Sequence, residues 1–79
     1  MSFEKKTAIL EYKIFVSASI TPNDLNQIRM KMPYNESQRT IPVIKELREW
    51  FYTKYGIILN LRDAKEIVED HFDSQSFQG

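Results

Sequence analysis

The sequence contains no cysteine, so neither a disulfide nor a thiolate metal site can support its fold. That absence is compatible with a reducing compartment, and the chain is expected to be cytoplasmic. Glycine stands only at positions 56 and 79, which excludes a glycine-rich phosphate loop. No apolar run approaches the length of a membrane span, and no secretory signal is visible. Net charge is lacking too: eleven basic residues balance eleven acidic ones. A neutral chain has no global field to hold a polyanion, so non-specific nucleic-acid binding is disfavoured.

Candidate chemistry is equally sparse. His71 is the only histidine. It follows Glu69 and Asp70 near a helix C-terminus, where an imidazolium is favoured, and is expected on the surface. Ser17, Ser19 and Ser37 have no candidate base at a recognisable spacing. Glu66, Glu69 and Asp70 read as a solvated helix face paired with Arg62 and Lys65. The sequence therefore predicts no enzyme, no cofactor and no metal site.

What is present fits one small domain over residues 1–79, near the lower limit for a core that folds unaided. Ten aromatic residues add large buried areas. Residues 1–6 and 73–79 are expected to be disordered. Thr7 to Ser19 alternates: Ala8, Leu10, Tyr12, Ile14 and Val16 point one way, while Thr7, Glu11, Lys13 and Ser17 point the other. That period of two predicts a strand. Only Gly56-Ile57-Ile58-Leu59 could offer it a few residues of partner strand, so its free edge predicts a homodimer through the strand. Thr21-Pro22-Asn23-Asp24 starts a helix, with Thr21 as N-cap and Asp24 reaching back to it. Leu25, Ile28 and Met32 line its apolar side, and Pro33 ends it. A polar connection over Pro33–Gln38 follows.

Residues 39–69 organise the chain as two amphipathic helices joined at Gly56, which can adopt the left-handed conformation at no steric cost. Thr40 reads as the first N-cap. Ile41, Ile44, Leu47, Phe51 and Tyr55 give one apolar stripe. Asn60 caps the second helix, where Leu61, Ala64, Ile67, Val68 and Phe72 form the buried side. Trp50 or Tyr52 is left for an interface, because the aromatic residues at 50, 51, 52 and 55 cannot all face one side. The predicted fold is α+β: one long N-terminal strand followed by three helices.

Two segments carry a resemblance: Ile-Pro-Val-Ile-Lys-Glu-Leu-Arg from Ile41 and Leu-Asn-Leu-Arg-Asp-Ala-Lys-Glu-Ile-Val-Glu from Leu59. They resemble the C-terminal domain of the bacterial ribosomal stalk protein, where Val-Ala-Val-Ile-Lys-x-Val-Arg and Leu-Gly-Leu-Lys-Glu-Ala-Lys-x-Leu-Val-Glu begin successive helices. The likeness covers about two-fifths of the chain, residues 39–69. Asn60 stands where the family has glycine, and the linker through Trp50–Tyr55 is longer. That helical hairpin recruits translational GTPases in the family. The resemblance implies that Ile41, Pro42 and Val43 form an exposed apolar helix start, that Lys45 and Arg48 match two basic contact residues, and that Lys65 matches a third. It points to a non-enzymatic interaction module whose partner is a translation factor or another protein, as recruiter or decoy. The alternative is a small dimeric nucleic-acid-binding regulator, with Arg29, Lys31, Arg39, Lys45 and Arg48 along one face.

Overall fold

The computed structural model describes Tyr12 and residues 14–76. All its regular structure is helical, and no strand occurs among the described residues. Tyr12 and residues 14–19 belong to α1. The helices α2 (Pro22–Met30), α3 (Tyr34–Ser37), α4 (Thr40–Tyr55) and α5 (Leu61–Ser76) follow. Over the described residues the protein is therefore all-α, and the α+β expectation is overturned. The predicted N-terminal strand is α1 where it can be seen; residues 7–11 and 13 lie outside the described set. Pairing between two copies through a strand edge has no described strand to use.

The reason lies in the spacing of the residues that α1 and the position just after it bury. Val16 and Ile20 enter the core, with Tyr12 packed against it. Positions 12, 16 and 20 recur every four residues, a helical row hidden inside the alternating pattern. Ile14, which the alternation assigns to the covered face, is exposed. A helix also satisfies its own backbone donors and acceptors, which a strand without a partner cannot do.

The α2 start follows the sequence reading. The Thr21 amide donates to Asp24 Oδ2 at 3.0 Å, and the Asp24 amide donates to Thr21 Oγ1 at 3.2 Å. The first of these bonds holds the Asp24 carboxyl below the usual carboxylate range. α2 ends at Met30, ahead of Pro33, and buries Leu25 and Ile28. The connection over Pro33–Gln38 then winds into the single turn of α3.

The helices α4 and α5 form the body of the molecule. α4 starts one residue earlier than expected: Arg39 is the N-cap, with no side-chain cap bond, and Thr40 is already helical. Pro42 still falls in the first turn, where its missing N–H costs nothing. Gly56 ends α4 at φ 69°, and its amide donates to the Tyr52 carbonyl. Asn60 caps α5 as predicted, with Oδ1 accepting from the Arg62 amide at 2.8 Å. α5 runs on to Ser76, through residues 73–76 of the segment expected to be disordered.

The core joins Val43, Ile44, Leu47 and Phe51 of α4 to Ala64 and Val68 of α5, with Leu59 from the connection between them. Full burial of a side chain such as Leu47 or Phe51 contributes about 1.5–3 kcal/mol. Phe15 of α1 adds an edge-on contact to the Phe51 ring at 6.0 Å and to the Tyr55 ring at 5.3 Å. Two polar ties fix α1 to the hairpin. Tyr55 Oη donates to the Ser19 carbonyl at 3.4 Å, and Tyr12 Oη accepts from the Asn60 amide at 3.1 Å.

Candidate functional site

One face of the α4–α5 hairpin is left open as a groove of about 1040 Å³. Helix geometry explains which residues reach it. In α4 the row Val43, Leu47 and Phe51 points into the core. Ile41 is two residues from Val43, about 200° around the axis, so the two cannot share a face. Ile41, Lys45, Arg48 and Tyr52 line the opposite row and the groove wall, with Ile44 between the rows. On α5, Ala64 and Val68 turn inward while Leu61, Lys65 and Glu69 form the second wall. Ile58 closes the end nearest Gly56.

The lining is unusually apolar for an open surface. Ile41 is 78 % exposed, Ile58 72 %, Leu61 58 % and Tyr52 56 %. Exposed apolar residues scattered singly need no explanation, but several gathered along one groove mark an interaction surface. Lys45, Arg48 and Lys65 bring positive charge between these apolar residues, and Glu49 and Glu69 stand among them.

Of the six residues singled out in the sequence, Ile41, Lys45, Arg48 and Lys65 line this one groove. Val43 does not. The sequence places it at an exposed helix start, yet 0 % of its surface is accessible, because it begins the inward row. Pro42 is half-buried and is not among the lining residues. Arg48 also braces the hairpin. Its Nε donates to the Leu59 carbonyl at 2.9 Å, tying α4 to the connection. Ile58 and Leu61 are additions to the predicted site. The sequence pattern assigns Leu61 to the core, but Leu59 takes that place two residues earlier. The available signal is the run Ile57-Ile58-Leu59-Asn60-Leu61, which holds more apolar residues than one side of a connection can bury. Tyr52 is the aromatic residue the groove receives. Trp50 is half-buried, 6.4 Å from the Phe51 ring and 6.3 Å from the Tyr55 ring, with Lys54 Nζ 5.0 Å from its ring centre.

His71 departs most from expectation. Rather than lying on the surface, it is only 6 % exposed. Arg29 Nη1 donates to its Nε2 at 3.1 Å. An arginine can only donate, so Nε2 accepts and the ring proton resides on Nδ1. Arg29 Nε donates to the Ser37 carbonyl at 2.9 Å, and its guanidinium stacks 4.5 Å above the Phe72 ring. Burial, and secondarily the Arg29 charge, push the His71 pKa down. Arg29 thus crosses between α2, α3 and α5 rather than joining a basic outer face. Among the described residues, no group of three or more His, Cys, Asp and Glu could hold a metal ion, and no helix is long and apolar enough to cross a membrane. Comparison with protein-family models, curated proteins and solved structures yields no match to this chain.

Proposed function

We propose that this protein is a non-enzymatic interaction module that docks a partner protein in the groove between α4 and α5. One observation carries the reading: Ile41, Tyr52, Ile58 and Leu61 are exposed along one concave surface that also holds Lys45, Arg48 and Lys65. Such a mixture of desolvatable apolar area and charged residues has the composition of a protein interface. The likeness of residues 39–69 to the ribosomal stalk hairpin makes a translational GTPase or a ribosome-associated factor the first partner to test. In that reading the module recruits such a factor or competes for it.

The test is affinity capture from a bacterial lysate, with the full chain and its Leu61→Asp and Lys45→Glu/Arg48→Glu variants as baits. Proteins retained by the parent and lost from both variants, at unchanged helix content, support the reading. Retention of the same proteins by all three baits would overturn it.

A further inference from the structure

The groove has a pattern along its length that narrows the choice of occupant. This step rests on the reading of the groove as a docking surface. At the end nearest Gly56, Tyr52, Ile58 and Leu61 form one apolar cluster. At the other end Ile41 is exposed above the edge of Ile44. Between these ends lie charged residues: Lys45, Arg48 and Glu49 on α4 and Lys65 and Glu69 on α5. Ile41 and Tyr52 are eleven positions apart on one helix, so the two apolar ends are separated by about 16 Å.

A concave groove requires a convex occupant. A second copy presenting this same groove about a two-fold axis would set hollow against hollow and leave the floor uncovered. A single α-helix, about 10 Å across, has a suitable shape and matches the spacing, since about 16 Å is three of its turns. The charged waist adds a chemical condition. Lys45, Arg48 and Lys65 outnumber Glu49 and Glu69 there by one charge, so the middle turn of the occupant should be acidic.

We infer that the groove takes an amphipathic helix from a partner, with apolar anchors about three turns apart and carboxylates on the turn between them. The anchors fill the two apolar ends, and the carboxylates meet Lys45, Arg48 and Lys65.

Three synthetic helical peptides of about 16 residues test this against the full chain. The first carries leucines eleven positions apart with glutamates between them. The second replaces those glutamates with lysines. The third keeps the glutamates and sets the leucines four positions apart. Binding is read by fluorescence anisotropy, and the site by amide chemical-shift changes. The first peptide should bind with a Kd on the order of tens of micromolar, shifting Ile41, Ile58 and Leu61, and the other two about tenfold or more weakly. Lys45→Glu/Lys65→Glu should reverse the preference between the first two peptides at unchanged helix content. Equal binding of all three, or no shift at roughly 1 mM of the first peptide, would overturn the inference. So would concentration-dependent dimerisation of the chain that Leu61→Asp abolishes, because the occupant would then be a second copy. If Leu61→Asp releases a captured protein while no acidic helix binds, the docking surface stands and the helical occupant falls.

Discussion

Two arginines in this molecule make the same bond in different surroundings. Arg29 Nε donates to the Ser37 carbonyl and Arg48 Nε donates to the Leu59 carbonyl, each at 2.9 Å. Arg29 also donates to the buried His71 and lies on the Phe72 ring, so it unites three helices. Arg48 makes its bond from the wall of an open groove. A guanidinium satisfied on several sides is part of the framework. One satisfied on a single side holds a segment and still offers donors to a visitor. The bond alone does not reveal the role; the neighbours do.

The comparison can be broken by truncation. Arg29→Ala should lose about 2–3 kcal/mol in denaturant unfolding, because it leaves a carbonyl and a buried imidazole without their donor. Arg48→Ala should lose about 1 kcal/mol, the worth of one hydrogen bond at a partly open site. Equal losses would mean that the two arginines do not differ as described.

Acid sharpens the same contrast with a smaller effect. Burial and Arg29 both disfavour the His71 imidazolium, so its folded pKa lies below the ordinary 6.5. As pH falls, the unfolded chain takes up the proton first. The stability contributed by neutral His71 is fully present above about pH 6.5 and is lost as pH falls through the folded value. Unfolding midpoints at about pH 7.5 and about pH 5 should therefore fall more for the parent than for His71→Gln. Parallel losses would remove His71 as the cause.

The smallest expected change in stability is at the groove. Leu61→Asp should alter unfolding by less than about 0.5 kcal/mol, since the side chain is largely exposed and away from the core row. A larger loss would show that Leu61 supports the fold rather than serving only the surface.

Which parts of this structure can be read in the sequence follows from how local their causes are. The α2 capping box is complete within four residues, Thr21–Asp24, and needs nothing else from the chain. Gly56 and Asn60 are likewise local punctuation. α1 reads as a strand because Tyr12, Ile14 and Val16 satisfy a period of two, while Tyr12, Val16 and Ile20 satisfy a period of four. Only the packing decides between them. The groove is half legible: Lys45 and Arg48 fall off the apolar stripe of α4 in the sequence, but the rotation of α4 that buries Val43 and exposes Ile41 depends on α5. The burial of His71 is not legible at all, since its partner Arg29 lies 42 positions away.

The connection between α4 and α5 has an evolutionary consequence. Loops are ordinarily where protein families gain and lose residues. Here the five positions 56–60 are pinned at several points: Gly56 is left-handed, Leu59 is fully buried with its carbonyl held by Arg48, and the Asn60 amide is held by Tyr12. One added residue would misplace the Leu59 plug or turn the Leu61 wall away from the groove. Descendants of this sequence should therefore vary in length around α3, where the connection is mostly exposed, while this linker keeps its count.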